Sequence, residues 1–597
     1  GGEGMSAITG IVADFPGGML LPGLREATAD VPVRGPCLPT RLTLPLDGQV
    51  GLEAMALVRA GEQVQRGQLI ARAGGYIGAC VHAPVAGRVE GLAQVTRPGG
   101  RRAQAIVLVP DADQPDATAP PVALPELALS ARHEIATETL LARIAAAGLV
   151  GQGGAGFPTA VKLSEGSASA VRLLVVNAVE CEPGLTCDQR LIRDYATDVV
   201  LGVQVLAQMT DAERCVIALE DDMPAARQAL EDALLKFASK DAQRSPIEVV
   251  VVPSRYPSGA ERQLIQRLTG VELKPEELPI HHGVVVQNVA TTRAVARAAL
   301  MQEPLTERYV TVLGEVAAPG NFRVLNGTPA RVLLEAAGCP DLSAVRLRFG
   351  GPLTGQYVDD LDAPLDKRTA ALTVEPRTPA LPERACIRCG ACLPVCPSRL
   401  HPPALDERLR NRDFDVALDF DLFACIECGL CDYVCPSRIP LVSHFRAGKR
   451  AIERQHRLQQ EADRYREMVE ARAGHDARRE ALADARRAAR RARRSADRLA
   501  APGQTEVSAV ESAAHFSAPP GAEPGALPSS PSEGRLPAPV SQVAASSAGS
   551  EGPSAGPQAT TPEDGLQADI AAAVARVRAR RRPGPGRPVK SDAEDDR

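Results

Sequence analysis

The chain has 597 residues, with 68 Lys+Arg against 73 Asp+Glu and a formal net charge of −5, which excludes a globally basic nucleic-acid binder. Phe 10, Tyr 7 and Trp 0 leave little for base stacking or for an aromatic membrane-interface belt. At about 150 residues per domain the length suggests about four units. With 44% hydrophobic residues most of these can build a core, while Gly 51 and Pro 50 require that part of the chain is linker.

No run approaches the ~18 to 20 apolar residues that span a bilayer. The longest, Leu173 to Val176 and Val249 to Val252, have the length of buried strands. The stretch Gly1 to Met5 has neither a basic region nor a long apolar run, so no secretory signal and a cytoplasmic chain are expected. The 14 Cys then read as metal ligands or thiols rather than a disulfide framework.

From about Leu42 to Val109, short apolar alternations broken by glycines predict a small β-sandwich. Val58 to Ile70 and Val81 to Val89 resemble the two halves of a biotinyl/lipoyl-type barrel-sandwich domain. No lysine precedes Lys162, so a swinging-arm carrier is excluded and a docking or packing domain is expected. From about Glu134 to Leu300, apolar runs at Val171 to Val176, Cys215 to Leu219 and Ile247 to Val252 alternate with helical patterns such as Met223 to Phe237. This favours an α/β sheet with crossover helices. A further β-rich stretch, Tyr309 to Val374, resembles a small soluble-ligand-binding β-grasp module.

Cys386-x2-Cys389-x2-Cys392-x3-Cys396-Pro397 recurs as Cys425-x2-Cys428-x2-Cys431-x3-Cys435-Pro436, the spacing of two-cluster ferredoxins. Three closely spaced thiolates wrap one cubane, and the fourth, followed by Pro, reaches the other. Cys386, Cys389, Cys392 and Cys435 are therefore assigned to one [4Fe–4S] cluster, and Cys396, Cys425, Cys428 and Cys431 to the second. Zinc would need only two or three of these cysteines per motif and leaves the paired Cys-Pro endings unexplained. Cys37, Cys80, Cys187, Cys215 and Cys339 are read as buried apolar residues or unused thiols.

Gly151-Gln-Gly153-Gly154-Ala-Gly156-Phe157-Pro158-Thr159 precedes Lys162; such glycines let backbone approach a phosphate or a ring, although a tight turn would look the same. The strand Leu173 to Val176 runs into Asn177-Ala-Val-Glu180-Cys181-Glu182-Pro183-Gly184, putting polar groups beyond a strand's carboxyl end, where open α/β sheets bind ligands. These two patterns, with Tyr256-Pro-Ser-Gly259-Ala-Glu261 and Gln287-Asn288-Val289 in the same order, resemble the FMN- and NADH-binding domain of the flavin subunit of respiratory complex I. About residues 10 to 450 as a whole resemble the RnfC family, a component of the Rnf ion-translocating electron-transport complexes.

That resemblance implies non-covalent FMN held by Gly151, Gly153, Gly154, Gly156 and Lys162, with Asn177 and Asn288 bonding flavin or ribityl atoms. Gly259 belongs to the same set, and Glu180, Glu182 and Glu261 would line the flavin and nicotinamide side, each with the alternative of a merely solvated charge. Val179 and Ala260 depart from the complex I pattern, which has acids there, and His281 and His282 are read as ordinary loop residues.

The implied fold class is multidomain α/β plus α+β. It comprises a barrel-sandwich domain over 1–130, a Rossmann-like FMN/NADH-binding domain over 131–305, a β-grasp module over 306–378 and a two-[4Fe–4S] ferredoxin domain over 379–445. An Ala/Arg-rich helical arm over 446–500, a disordered linker over 501–565 and a basic tail over 566–597 follow. The implied activity is that of an NADH:ferredoxin-type oxidoreductase subunit using FMN, two [4Fe–4S] clusters and NADH/NAD+ as substrate. Its implied partners are the membrane subunits of an Rnf complex and ferredoxin or flavodoxin, at the cytoplasmic face of a bacterial inner membrane, with no nucleic acid. The alternatives are a soluble cobalamin reductase-like protein and a non-catalytic iron–sulfur relay. Nine arginines between Arg478 and Arg498 also leave open a lipid or RNA tether in place of a solvated helix.

Overall fold

The computed structural model describes residues 14–47, 50–112, 121, 124, 135–167, 170–238, 246–378 and 382–499. The linker expected over 501–565 and the tail expected over 566–597 lie outside the described residues. Those described divide into two compact units, one ending at Glu453 and the other beginning at Arg454.

The first unit opens with seven strands: β1 (Leu42–Pro45), β2 (Met55–Ala56), β3 (Gln63–Val64), β4 (Leu69–Arg72), β5 (Val81–His82), β6 (Gly87–Arg97) and β7 (Arg101–Pro110). They form two antiparallel sheets, ordered β1-β7-β6-β3 and β2-β4-β5. In β6 the buried Gly87 and Val89 alternate with exposed Arg88 and Glu90, the period of a half-covered strand. Leu42, Val64, Ile70, Val89 and Ile106, drawn from both sheets, fill the core between them. Glycine is needed in the tight β6–β7 turn, where Gly99 takes φ 77°.

The second layer system is a parallel sheet of β8 (Leu173–Ala178), β9 (Arg214–Glu220), β10 (Ile247–Val252) and β11 (Val284–Asn288), ordered β10-β9-β8-β11. Leu174 and Val176 enter one apolar cluster while Leu173 and Val175 enter another. Both faces are thus covered, which is why the sequence there is an unbroken apolar run. The helices are α1 (Thr137–Ala146), α2 (Thr159–Ser167), α3 (Cys187–Thr210, interrupted at Tyr195), α4 (Pro224–Ala238), α5 (Glu261–Thr269) and α6 (Val289–Met301). A Cβ at Gly202 of α3 would stand 2.1 Å from the Thr292 carbonyl oxygen of α6, so only glycine permits that crossing. The chain turns back to extend the sheet on the other side of β8 after β10, placing the topological switch between β8 and β11.

A mixed sheet ordered β13-β12-β16-β14-β15 follows, made of β12 (Glu307–Gly314), β13 (Gly320–Leu325), β14 (Val345–Phe349), β15 (Gln356–Val358) and β16 (Ala371–Pro376). The helix α7 (Ala330–Ala336) supplies Leu333 and Leu334 to its core. Arg97 ties this unit to the first sandwich: 1% exposed, it pairs with Asp47 at 3.1 Å and with Asp366. Removing one partner of such a buried pair costs about 3 to 5 kcal/mol, because the other charge is left uncompensated.

Short helices α8 (Pro402–Arg410), α9 (Phe414–Asp419) and α10 (Leu430–Tyr433) pack around the cysteine motifs, and α11 spans Leu441–Leu499. The domain boundary expected at 445/446 falls inside α11. Phe445 and Ile452 are 1% and 2% exposed, and a Cβ at Gly448 would meet Leu409 Cδ2 at 2.5 Å, so these turns belong to the ferredoxin core. From Arg454 on, in the second unit, every described side chain except half-buried Asp463 is exposed, as good helix formers without an apolar face allow. Among the described residues no helix is long and apolar enough to cross a membrane.

Candidate cofactor cavity and cluster sites

Asn177 and Asn288 are register partners at the carboxyl ends of β8 and β11, so they stand together at the switch point. Their side chains are occupied within the protein. Asn288 Oδ1 accepts from the Ala290 and Thr291 amides as the N-cap of α6, and its Nδ2 donates to Asp188 at 2.6 Å. Asn177 Nδ2 donates to the Gly259 carbonyl at 2.9 Å while its Oδ1 accepts from the Val179 amide.

The glycine loop folds back on itself through Gly151 N–H to Phe157 O at 2.8 Å and Gly156 N–H to Gly151 O at 3.2 Å. Gln152 anchors it to α6, its amide donating to Thr291 Oγ1 at 2.9 Å and its side chain to Ala290 O. Gly154 sits at φ 114° with no atom within 4 Å of a Cβ built there, leaving bare backbone facing open space. At Gly156, φ 67°, that Cβ would lie 2.3 Å from Arg368 Cδ, a residue of the mixed-sheet unit.

Glu180 is 7% exposed, and its carboxylate accepts from the Asp188 and Gln189 amides at 3.0 Å each and from Cys187 Sγ, satisfying donors at the start of α3. Burial and then neighbouring Asp188 push its carboxyl up to about 7, against the opposing pull of Arg25. Glu182 reaches to the mixed-sheet unit, accepting from the Thr354 amide at 2.8 Å, the Leu353 amide at 3.2 Å and the Thr354 hydroxyl. Its pKa is also raised by burial. Arg25 pairs with Glu220 and donates to the Glu180 carbonyl, pinning the acidic loop from the other side.

These segments enclose a cavity of about 460 Å³, within the range of small-molecule and cofactor pockets. Gly153, Gly154, Asn177, Glu180, Glu182, Gly259 and Asn288 line it, whereas Gly151, Gly156, Lys162 and Glu261 are not among its lining residues. Lys162 and Glu261 instead pair with each other at 2.9 Å, both partly exposed. Val179 and Ala260 do line the cavity, so its wall is uncharged at both positions. Arg97, Asp188, Tyr256, Arg368 and Ile426 also contribute, and sequence reasoning missed them as cavity residues. They come from distant segments and carry no local motif; only the Tyr256-Pro257 sequence beside Gly259 offers a signal. His281 Nδ1 accepts from the Leu278 amide and His282 meets Glu277, both away from the cavity lining.

Cys428 and Ile426 join the same wall, and the Tyr256 hydroxyl donates to the Cys428 carbonyl at 2.6 Å. The second cysteine motif therefore borders the cavity directly. Elsewhere in the ferredoxin unit Cys386, Cys389, Cys392 and Cys435 line one small cavity of about 40 Å³. Of the other set, Cys431 is buried in the core of this unit and Cys396 and Cys425 pack against that core. Burial and then Cys425 and Cys396 push the Cys428 thiol up to about 12, an environment in which thiolate forms only against a strongly cationic centre. Among the described residues no group of three or more donors is tight enough for a single metal ion. Four sulfur donors lining one small void, as at Cys386, Cys389, Cys392 and Cys435, suit a polynuclear iron–sulfur centre.

Comparison with known proteins follows the same partition. The family model of the RnfC barrel sandwich hybrid domain matches residues 13–113, that of the Nuo51 FMN-binding domain residues 144–297, and that of the 4Fe-4S dicluster domain residues 385–439. An RnfC protein of Yersinia pestis bv. Antiqua, which is a component of its ion-translocating oxidoreductase complex, is 38% identical over 476 residues, covering 79% of this chain and 73% of that protein. The chain belongs to the RnfC family. The corresponding protein of Pseudomonas aeruginosa is 40% identical over 467 residues, 77% of this chain and 58% of that one, so the chain spans little more than half of this relative's length. A solved structure of an NAD+-reducing [NiFe]-hydrogenase in the H2-reduced state aligns at 21% identity and a TM-score of 0.39, covering 54% of this chain and 62% of that one. This RnfC chain thus combines a barrel sandwich, an FMN-binding domain and a 4Fe-4S domain in one mixed α/β polypeptide.

Proposed function

We propose that this chain is the peripheral electron-transfer subunit of a membrane-bound ion-translocating oxidoreductase, exchanging electrons between NADH/NAD+ and ferredoxin or the membrane subunits at the cytoplasmic face. The observation that carries the reading is that one cavity is bordered by the glycine loop, the switch-point asparagines and the second cysteine motif together. FMN bound there would supply the conversion between the two-electron chemistry of a nicotinamide and one-electron chemistry of iron–sulfur centres. The two cysteine sets, Cys386, Cys389, Cys392, Cys435 and Cys396, Cys425, Cys428, Cys431, would each hold one [4Fe–4S] cluster.

The chain's own residues provide binding and orientation. The bare backbone at Gly153 and Gly154 offers close approach to a phosphate or ring, supported by its lack of obstructing atoms at Gly154. Glu180 and Glu182 hold the acidic loop against α3 and the Leu353-Thr354 segment, so their part is to keep the cavity's walls in register. Tyr256 fixes the distance between that wall and Cys428. In this reading residues 1–130 are a docking sandwich, 131–305 the FMN/NADH domain, 306–378 a β-grasp module closing the cavity and 379–445 the ferredoxin domain, with the arm and tail contacting other subunits.

Anaerobic purification with iron, sulfide and FMN quantified together, then NADH titration of the visible spectrum, tests the proposal. About eight irons and one flavin per chain, bleached by NADH, are expected. Eight irons with no flavin, or a flavin that NADH does not reduce, would leave an iron–sulfur relay with another donor, the reading favoured by uncharged Val179 and Ala260 in the cavity wall.

A further inference from the structure

The two cysteine sites differ in access, and that difference selects a surface. Cys428 borders the large cavity, whereas Cys386 and Cys389 are exposed. Around these exposed ligands the chain carries two apolar side chains with little cover, Ile387 at 67% and Leu393 at 38% exposure. Three arginines accompany them: Arg388 between the two cysteines, Arg384 just before, and Arg438 just after Cys435, all exposed. The Arg384 amide donates to Ser437 O at 2.9 Å and the Ser437 hydroxyl to Ala385 O at 3.0 Å, which brings the 384 and 438 segments side by side.

Among the described residues none of these three arginines makes an ion pair, although Arg399 and Arg410 of the same unit are taken up by Glu272 and Glu383. Unpaired, exposed cations and two exposed apolar side chains on the segments that carry the cavity-lining Cys386, Cys389 and Cys435 have the composition of a transient electron-transfer interface. Such interfaces are small and are steered by charge rather than by buried area.

We propose that the surface formed by Arg384, Arg388, Arg438, Ile387 and Leu393 is the docking face for an acidic protein carrying a one-electron centre. The inference rests on the reading that Cys386, Cys389, Cys392 and Cys435 hold a cluster. In each productive encounter one electron crosses this face, one partner being oxidised by one electron and the other reduced by one, with no bond made or broken.

The test uses the full chain loaded with both clusters and titrates it calorimetrically with an oxidised, acidic two-[4Fe–4S] ferredoxin as probe. Affinity is expected to fall about tenfold between ~20 mM and ~200 mM salt as the Debye length shortens. The double variant Arg388→Glu/Arg438→Glu should weaken binding about tenfold at low salt and lose most of that salt dependence. Arg102→Glu, an exposed change on the barrel sandwich, should bind as the unaltered chain does. Equal weakening by Arg102→Glu, unaltered binding by the double variant, salt-independent binding or no binding at low salt would each overturn the proposal. If the double variant loses iron, Arg384→Gln, which lies outside the cysteine motif, carries the test: about threefold weaker binding at low salt is expected, and unaltered binding would overturn the proposal. Because binding is read without NADH or flavin, a flavin that NADH fails to reduce would count against the functional reading alone.

Discussion

The two cysteine motifs of the ferredoxin unit share a backbone and differ in almost everything around it. At equivalent positions of the two motifs, Arg388 and Glu427 take φ 56° and 58°, Gly390 and Gly429 take φ 76° and 80°, and Arg399 and Arg438 take φ 53° and 55°. Yet Ile387 is 67% exposed while its counterpart Ile426 lines the large cavity. The Cβ position of Gly390 has only Leu393 Cδ1 nearby at 3.8 Å, whereas that of Gly429 lies 2.6 Å from the Leu353 carbonyl oxygen of the mixed-sheet unit. At the exposed motif stands an unpaired Arg388; at the covered one Glu427 is held by Arg446 at 2.7 Å and Lys449 at 3.0 Å. Local spacing thus sets the turn geometry of a ligand loop, and the surrounding domains give the two copies an inward and an outward setting.

On the proposed function, the largest contrast is expected from the cysteines assigned to the two clusters. Cys428→Ser should slow NADH-driven reduction of the remaining cluster by more than about 100-fold, equivalent to roughly 2.7 kcal/mol of barrier. Cys389→Ala should remove the outward cluster's EPR signal but leave reduction of the flavin and inward cluster intact in stopped-flow absorbance. Equal losses in both variants would erase the inward/outward distinction.

Next come the glycines. Gly429→Ala combines a left-handed backbone with a backbone clash and should destabilise the anaerobic holoprotein by about 2 to 3 kcal/mol, while Gly390→Ala, strained by φ alone, should cost about 1 kcal/mol. Denaturant midpoints followed by cluster absorbance would separate them. A smaller difference is expected from the counterpart charges. Glu427→Gln strips two partly buried cations of their partner and should cost about 1 to 2 kcal/mol. Arg388→Gln should stay within about 0.5 kcal/mol, as for an unpaired surface residue.

The pH dependence of that effect is the finest test. Although burial opposes it, Lys449 and Arg446 hold the Glu427 carboxyl below its ordinary range. A carboxyl depressed in the folded chain contributes fully above its unfolded value of about 4.3 and loses that contribution as pH falls through the folded value. The deficit of Glu427→Gln should therefore be constant from pH 7 to about 5 and shrink below about 4.3, read from acid-jump unfolding rates. A deficit independent of pH would assign the effect to packing rather than charge.

Much of the chemistry was legible because it is local. Cysteines separated by two residues must fall on one loop, and Cys386, Cys389, Cys392 and Cys435, grouped by spacing, line one small cavity. The glycine loop was legible for the same reason, as was the strand Leu173–Ala178, whose apolar run requires a sheet covered on both faces, whereas the strand Val284–Asn288 was not expected. Glu180 was legible as an acid of the loop but not as the acceptor for the start of α3, since that depends on where Asp188 and Gln189 begin their helix. Lys162 and Glu261 stood in motifs that suggest the cavity, and they meet each other outside its lining instead.

Amino-acid order alone determined the cysteine spacing, the bare backbone at the glycine loop and the apolar run of the strand Leu173–Ala178, because each is set within a few residues by covalent geometry and hydrophobic period. Tertiary structure decided that Arg97, Asp366 and Arg368 reach the cavity, that Ile426 rather than Ile387 faces it, and that Phe445 to Ile452 belong to the ferredoxin core rather than to the arm. Those choices join segments far apart in the chain, and they follow from packing one buried surface on another, for which no local pattern carries the address.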